Sequence, residues 1–260
     1  MPAVIVTGAS MGIGRALALA WARSPDRDTL VLSARGREAL DETAHEVERL
    51  GGRAIAVPGD VTDEEHRVAL VARADEHGGT RVLLNNAGRG FYAPALDVDV
   101  AKLRELFELN VIAPLRLSQL AAPGLTRHRG TIVMMSSVAG VVAAPRYAAY
   151  SASKFALEAI AMAMRSELAA SGVRVVVVRP GPVATPFRAN AIRGGAVTGY
   201  TAPDPDAQSA ELVAEKTWKA VTNGTPVLET SAFVRVASAT ARHAPFVLRT
   251  ALARMARKEA

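Results

Sequence analysis

The stretch that decides the fold of this chain is VTGASMGIGR, residues 6–15. It places three glycines, Gly8, Gly12 and Gly14, between a short apolar run and a helical pattern. Glycines at this point let the chain turn sharply, and the N-terminus of the following helix presents unpaired N–H groups to a phosphate. Their spacing is G-x-x-x-G-x-G, whereas the familiar dinucleotide-binding turn has G-x-G-x-x-G. The stretch alone therefore predicts a phosphate-binding turn, with a plain glycine-rich turn as the alternative.

Short apolar runs rich in Val, Ile and Leu alternate with helical patterns along the chain. The runs are at 3–7, 29–34, 53–60, 81–88, 131–137, 173–181 and, as a shorter edge strand, 225–230. The helical patterns are at 13–23, 37–50, 63–77, 98–125, 150–171 and 207–222. Continuous apolar runs are typical of strands buried on both faces of a parallel sheet, and their alternation with helices indicates βαβ units. The sequence therefore predicts an α/β fold with a doubly wound parallel sheet.

The positive charge of the chain is concentrated at its C-terminal end. The net charge is +6, and residues 231–260 account for +5 of it. A nucleic-acid-binding face would instead involve the folded body, so we expect no nucleic-acid partner. No linker or repeat interrupts the rest of the chain, so we predict one domain over 1–230 and a basic, helical extension over 231–260.

The composition excludes several classes of site. The chain has no cysteine, so disulfides, thiolate metal sites and cysteine nucleophiles are ruled out. Its five histidines show no paired-ligand spacing, and we expect no metal site. There is no signal segment and no run near the ~18 apolar residues of a membrane span, so the expected location is the cytoplasm.

Glycine-rich or polar residues follow each of the first six predicted strands. They are 8–14, Arg35, Asp60 with Val61, 85–88, Ser136 with Ser137, and 180–185, in strand order. Ligands of doubly wound sheets bind outside the carboxyl ends of the strands, at the switch point in strand order. The sequence therefore predicts one ligand site at this edge of the sheet.

Read together, these motifs resemble the short-chain dehydrogenase/reductase family. The resemblance is carried by T-G-x-x-x-G-I-G in the opening stretch, N-N-A-G at 85–88, Ser137, Y-x-x-x-K at 150–154 and P-G at 180–181. The motifs span residues 4 to about 230 and keep the family's order and its Ser-to-Tyr spacing of thirteen. The resemblance implies a Rossmann-type fold of about seven strands and NAD(P)-dependent chemistry that interconverts carbonyls and alcohols.

Tyr150, Lys154 and Ser137 are the candidate catalytic residues. Tyr150 and Lys154 are four positions apart and share a helix face, so the ammonium is expected to lower the pKa of the phenol. Tyr150 is then the general acid in carbonyl reduction and the base in alcohol oxidation, and Ser137 orients the substrate oxygen. The resemblance implies that Lys154 also holds the nicotinamide ribose. An ordinary amphipathic helix pair is the alternative for Tyr150 and Lys154.

Asn110 matches the fourth member of the family's catalytic tetrad. It stands in the predicted helix 98–125, four residues before Pro114, which has no N–H to donate to the Asn110 carbonyl. The resemblance implies that this carbonyl and a water join a proton relay to Lys154. A mere helix kink is the alternative.

The end of the second strand favours NADPH over NADH. Ala34 stands where an acidic residue would hold the ribose hydroxyls of NADH, and Arg35 follows it. An arginine can pair with the 2′-phosphate of NADPH, with Arg37 either assisting or solvated. Met11 departs from the pattern, because many NADP-using relatives carry a basic residue there. Asp60 matches the family residue that faces the adenine. Its alternative role is to cap the following helix, although Thr62 fits that role better.

The resemblance implies a full set of cofactor contacts, including the backbone of Val183 and the hydroxyl of Thr185 at the carboxamide. The predicted cofactor residues are Gly8, Ser10, Met11, Gly12, Ile13, Gly14, Arg35, Asp60, Val61, Asn86, Ala87, Gly88, Tyr150, Lys154, Pro180, Gly181, Val183 and Thr185.

The substrate is predicted to be a lipophilic ketone or aldehyde. The mostly apolar residues near the expected pocket are Phe91, Tyr92, Val141, Val142, Ala144, Tyr147, Phe187 and Ile192. Arg146 and Arg188 are either solvated or positioned for an anionic tail. The Gly-, Ala- and Pro-rich stretch 186–206 reads as a structureless, mobile lid with glycine hinges at 194–195. Both 3-oxoacyl and steroid or general carbonyl substrates fit.

The basic extension has an apolar stripe at Val247, Leu248, Ala251, Leu252 and Met255. It is interpreted as a helix that packs on the chain's own body or on a partner subunit, with an anionic membrane surface as the alternative. The resemblance implies a homodimer through the helices at 98–125 and 150–171, or a homotetramer. An NAD-dependent alcohol or hydroxysteroid dehydrogenase and a non-catalytic NADP-binding regulatory protein are the alternative functions.

Overall fold

The computed structural model describes residues 1–195 and 207–258. Its strands are β1 (Ala3–Thr7), β2 (Thr29–Ala34), β3 (Arg53–Pro58), β4 (Thr80–Asn85), β5 (Phe91–Tyr92), β6 (Thr131–Met135), β7 (Arg174–Arg179), β8 (Ile192–Arg193) and β9 (Val227–Glu229). Its α-helices are α1 (Gly12–Ala22), α2 (Arg37–Arg49), α3 (Glu64–Asp75), α4 (Val100–Phe107), α5 (Ala113–His128), α6 (Ala148–Glu167), α7 (Ala210–Asn223), α8 (Ala232–His243) and α9 (Pro245–Lys258).

Seven of these strands form one parallel sheet in the order β3-β2-β1-β4-β6-β7-β9. The order runs outward from β1 in one direction and from β4 in the other, so the switch point lies between the carboxyl ends of these two strands. The predicted α/β fold, a Rossmann-type doubly wound parallel sheet of about seven strands, is confirmed.

The core consists of one apolar layer on each face of the sheet. Alternate residues of β1 point to opposite layers, with Val4 and Val6 on one side and Ala3 and Ile5 on the other. Helices α1, α2 and α7 pack on the first side, and α3, α5 and α6 pack on the second. Because both faces are covered, the strands read as continuous apolar runs.

The predicted helix 98–125 is two α-helices, α4 and α5, joined by a π-helical turn at Glu108–Ile112. In this turn the Ala113 N–H donates to the Glu108 carbonyl, five residues earlier. Pro114 stands in the first turn of α5, where its missing N–H interrupts the regular α-helical ladder. The turn carries Asn110, and π-turns inside helices are often found at functional sites.

The predicted structureless lid is ordered at its start. β8 pairs in parallel with β5, and the Ile192 N–H donates to the Gly90 carbonyl at 2.9 Å. Of the two predicted hinges, Gly195 has a positive φ of 67°. The rest of the predicted lid, 196–206, lies outside the described residues.

The C-terminal extension forms two helices. The Ser231 hydroxyl caps α8 by accepting from the Val234 N–H, and Val234 is the buried anchor of this helix. Pro245 begins α9, which packs mainly on α8. Among the described helices, none is long and apolar enough to cross a membrane.

Candidate active site

A cavity of about 1420 Å³ opens along the carboxyl edge of the sheet. This volume exceeds the ~300–1,000 Å³ that is typical of a pocket for one small ligand. All the predicted cofactor residues line it: Gly8, Ser10, Met11, Gly12, Ile13, Gly14, Arg35, Asp60, Val61, Asn86, Ala87, Gly88, Tyr150, Lys154, Pro180, Gly181, Val183 and Thr185. The sheet topology thus brings together residues that are far apart in the sequence.

The glycine turn is shaped by contacts that exclude side chains. Gly8 has a φ of 67°, and a Cβ at this position would lie 2.9 Å from the Asn86 Nδ2. A Cβ at Gly14 would overlap the Gly8 carbonyl oxygen. Met11, at the N-cap position of α1, makes no side-chain cap, so the first-turn N–H groups have no side-chain partner there. The turn therefore offers backbone donors to an anion.

Thr7 and Asn86 fasten the glycine turn to the end of β4. The Thr7 hydroxyl accepts from the N–H groups of Asn86 and Ala87, each at 3.0 Å. The Asn86 amide donates to the Thr7 carbonyl at 2.9 Å. The sequence analysis missed Thr7, although it stands directly before the first glycine and its hydroxyl was the available signal.

Arg35 and Asp60 lie together at the mouth of the cavity. The Arg35 side chain is 75% exposed, and its Nη1 is 3.9 Å from the Asp60 Oδ2. Burial acts to raise the pKa of the Asp60 carboxyl, but hydrogen bonds from Thr62 and the Arg35 charge outweigh it and lower the pKa. Asp63, rather than Thr62 or Asp60, stands at the N-cap position of α3.

The Ser137 and Tyr150 side chains meet at the inner end of the cavity. The Ser137 hydroxyl accepts from the Ala139 N–H at 3.1 Å and is hydrogen-bonded to the Tyr150 hydroxyl. Tyr150 is buried, and its ring centroid lies 5.8 Å from that of Phe187. The phenol is therefore fixed by packing on one side and by a hydrogen bond on the other.

The predicted lowering of the Tyr150 pKa is wrong. Burial of the phenol raises its pKa well above the ordinary value, and the hydrogen bond from Ser137 opposes this only in part. The Lys154 ammonium donates to the Met135 carbonyl at 2.8 Å and lies 5.8 Å from the Tyr150 ring centroid. Burial lowers the pKa of Lys154 to about 8, against an opposing effect of the Glu158 charge.

Asn110 is buried behind the cavity wall and does not line the cavity. Its Oδ1 accepts from the Arg89 N–H at 2.9 Å, and its Nδ2 donates to the Arg89 carbonyl and to the Ser153 hydroxyl, each at 3.0 Å. The Ser153 hydroxyl in turn donates to the Tyr150 carbonyl at 2.7 Å. The Asn110 side chain therefore ties the segment after β4 to the helix that carries Tyr150.

Most residues of the predicted substrate pocket line the same cavity, and the pocket's role stays a prediction. The residues that line the cavity are Tyr92, Val142, Ala144, Tyr147, Phe187, Arg188 and Ile192. Phe91, Val141 and Arg146 do not line it. Phe91 is fully buried because β5 points it into a small apolar cluster with Tyr150.

The C-terminal helices supply a cavity wall that the sequence analysis missed. The lining residues of α8 and α9 are Phe233, Ala237, Leu248, Ala251, Leu252 and Met255. The apolar stripe of α9 was visible in the sequence, but its spacing alone does not say which surface it covers.

Comparison with known proteins agrees with this geometry. The family model described as short chain dehydrogenase matches residues 2–194. The chain is 34% identical over 231 residues to the ketoacyl reductase HetN of Nostoc sp., covering 87% of this chain and 80% of HetN.

Solved structures give the same result. A short-chain dehydrogenase from Streptomyces avermitilis superposes with a TM-score of 0.83 at 28% identity, over 99% of this chain and 98% of that one. One from Sphingobium yanoikuyae, in complex with NADPH, gives 0.80 at 26% identity, over 96% of both chains. Because the family model covers most of the chain and the sequence and structural relatives agree with it, the chain is an oxidoreductase that belongs to the short-chain dehydrogenase family.

Proposed function

We propose that the protein is an NADPH-dependent reductase that interconverts a carbonyl and a secondary or primary alcohol on a lipophilic ketone or aldehyde. The observation that carries this proposal is the single cavity that joins the glycine turn and Arg35 at one end to Ser137, Tyr150 and Lys154 at the other.

The residues at the glycine turn fit a dinucleotide. At Gly8 and Gly14 a Cβ would clash with other atoms of the chain, so only glycine keeps this turn. The start of α1 leaves backbone N–H groups that can bind a pyrophosphate. Arg35 is exposed at the mouth, and Ala34 brings no acid there to repel a 2′-phosphate. The similar Sphingobium protein was solved with NADPH, which supports the same choice. When bound, NADPH supplies the hydride to the carbonyl carbon.

Tyr150 is proposed as the proton donor to the carbonyl oxygen. Its raised pKa keeps the phenol protonated, and thus ready to donate, at neutral pH. The Ser137 hydroxyl would turn from Tyr150 to hydrogen-bond the same oxygen. Lys154 would stabilise the phenolate that remains and bind the ribose, while Asn110 positions the helix of Tyr150. In the oxidation direction Tyr150 accepts the proton instead.

The C-terminal wall supports a lipophilic substrate. Leu248, Leu252 and Met255 of α9 line the same cavity as Tyr150, so the apolar part of a substrate would lie against them. We therefore propose that the extension 231–260 acts as a substrate wall built on the catalytic domain 1–230. HetN, a ketoacyl reductase by name, makes 3-oxoacyl thioesters a natural first substrate class.

Peripheral membrane contact is the second candidate role of the extension. Phe246 and Val247 are 78% and 60% exposed, and the exposed Arg249 and Arg254 stand beside them on α9. Apolar side chains flanked by arginines suit an anionic bilayer surface. Cosedimentation with anionic vesicles, compared between the native chain and the double variant Phe246→Ser, Val247→Ser, tests this role, and equal binding would refute it.

The exposed apolar residues Ile112, Phe155 and Met162 support a homodimer or homotetramer. They lie at the end of the π-helical turn before α5 and along α6, where the family resemblance placed the contact between subunits. Light scattering coupled to gel filtration tests this, with Phe155→Glu expected to favour the monomer.

The function itself is tested with a panel of ketones, aldehydes and 3-oxoacyl thioesters, following NADPH absorbance. Turnover with NADPH that is much faster than with NADH supports the proposal. Faster turnover with NAD and alcohols favours an NAD-dependent dehydrogenase, and tight NADPH binding without any turnover favours a regulatory protein.

A further inference from the structure

A network of largely buried charges begins one helical turn after Lys154, outside the cavity lining. Glu158 follows Lys154 by one turn on α6, Arg179 is the last residue of β7, and Glu229 is the last residue of β9. The Arg179 Nε and Nη2 donate to the two carboxylate oxygens of Glu158, each at 2.9 Å, and its Nη1 donates to the Glu229 Oε1 at 3.2 Å. Glu158 is therefore held in one orientation by a bidentate pair.

Stability alone is a weak reason for such a network. The side chains of Arg179 and Glu158 are only 11% and 14% exposed. Removing two charges from water is costly, and apolar residues of similar volume often stabilise a fold as well or better. A buried ion pair one turn from a catalytic lysine therefore needs another explanation.

Burial makes the positive charge of Lys154 unfavourable. The residue is 4% exposed, and among the described residues the acceptor of its ammonium is the neutral Met135 carbonyl. Burial lowers its pKa to about 8, and the Glu158 charge is the effect that opposes this. The four groups Lys154, Glu158, Arg179 and Glu229 carry two positive and two negative charges, so the network is balanced as a whole.

We propose that Glu158 is a positioning residue for the proposed catalytic lysine: fixed by Arg179, its carboxylate keeps the buried Lys154 side chain an ammonium. The inference rests on the proposed function, in which the positive charge of Lys154 stabilises the phenolate of Tyr150.

The other ionisable groups around Lys154 do not supply this negative charge. Tyr150, one turn earlier on the same helix, is held neutral by burial. Arg165, further along α6, is a cation. Burial lowers its pKa, and the charges of Glu158 and Arg179 act on that pKa in opposite directions. Arg89, whose backbone is hydrogen-bonded to Asn110, donates its Nε to the Asn190 carbonyl and adds a positive charge. Glu229 acts from β9 through Arg179 and lies farther out, with its side chain 23% exposed.

Two substitutions that break the same ion pair distinguish charge from structure. Glu158→Gln removes the negative charge, so the alkaline limb of the kcat/KM profile should move to lower pH by about one unit. At a pH where the native enzyme is still fully active, the variant should lose about tenfold in kcat/KM and regain it on acidification. Arg179→Gln leaves Glu158 without its counter-charge. The Glu158 carboxylate should then raise the pKa of Lys154 further, so the alkaline limb of this variant should move to higher pH.

Glu229→Gln is the matched control, because it removes the other partner of Arg179 and should move the limb much less than Glu158→Gln. If Glu158→Gln and Arg179→Gln both move the limb to lower pH, or neither moves it, the proposal is wrong and the network is structural. Should Glu158→Gln fail to fold, Glu158→Asp keeps the charge and should hold the native limb, and Arg179→Gln still tests the sign.

A second readout needs no turnover. The pH dependence of Lys154 acetylation by acetic anhydride, followed on its peptide by mass spectrometry, reports the charge of the amine directly in the cofactor-free protein. Its midpoint should fall in Glu158→Gln and rise in Arg179→Gln, and an unchanged midpoint in both would overturn the proposal. Because this labelling does not depend on a substrate, it remains decisive if the carbonyl panel shows that the proposed function is wrong.

Discussion

The two ends of the active-site cavity are built in different ways. The proposed cofactor end is made of strand ends and a glycine turn, in which Thr7, Gly8 and Asn86 are held by hydrogen bonds between side chains and the backbone and by close contacts. The proposed substrate end is closed by side chains of α8 and α9, and Val234 is the buried residue of α8. The difference indicates that the glycine-turn end tolerates few substitutions. The end lined by α8 and α9 depends on side-chain packing, so its side chains can be exchanged more freely.

Tyr150, which lines the same cavity, should give the largest effect on turnover. Tyr150→Phe keeps the packing against Phe187 but removes the proton donor, so kcat should fall by about 10²- to 10⁴-fold. NADPH affinity, measured by fluorescence titration, should stay near the native value. Activity close to native in this variant would contradict the assignment of the acid.

Gly14→Ala tests the rigidity of the cofactor end. Its Cβ would overlap the Gly8 carbonyl oxygen, so the turn must shift and NADPH affinity should fall by about 100-fold. Gly36→Ala is the control, since a Cβ there meets nothing within 4 Å. Equal affinities in the two variants, measured by calorimetry, would mean that the turn does not hold the cofactor.

Arg35→Ala should change the choice of cofactor rather than binding in general. Loss of a charged pair with the 2′-phosphate should weaken NADPH binding by about 10- to 50-fold and leave NADH binding nearly unchanged. The ratio of the two dissociation constants is the measurement. A parallel loss for both cofactors would instead assign Arg35 a structural role, for example through Asp60.

Leu252→Ala should give the smallest effect, at the substrate end. Trimming this half-buried wall residue should lower kcat/KM by about 3- to 5-fold for long-chain ketones and leave short ones unaffected. Val247→Ala, on an exposed part of the same helix, should match the native enzyme throughout. A uniform loss across chain lengths would show that α9 does not bind the substrate chain.

The cofactor end could be predicted from the sequence because it depends on local rules. Three glycines after an apolar run, an arginine after the second strand and polar residues at the other strand ends are placed by the topology of a parallel sheet. The roles of these residues stay predictions, but their assembly around one cavity follows from chain order alone.

The rest depends on burial and on contacts between distant segments. Arg179 ends what reads as an apolar strand, and its partner Glu229 is fifty residues away. The raised pKa of Tyr150 follows from its burial, which a Tyr-x-x-x-Lys spacing does not specify. Likewise the stripe on α9 shows that the helix has an apolar face but not that the face meets the cavity.

The position of α9 has a practical consequence for protein engineering. This helix begins at Pro245, packs mainly on α8, and forms part of the cavity wall without contributing to the sheet. If the proposed function holds, a library that varies only the last two helices samples new substrate ranges while leaving Ser137, Tyr150 and Lys154 intact. For the same reason, an N-terminal affinity tag is the better choice for kinetic work, because it leaves the cavity-lining residues of α9 unaltered.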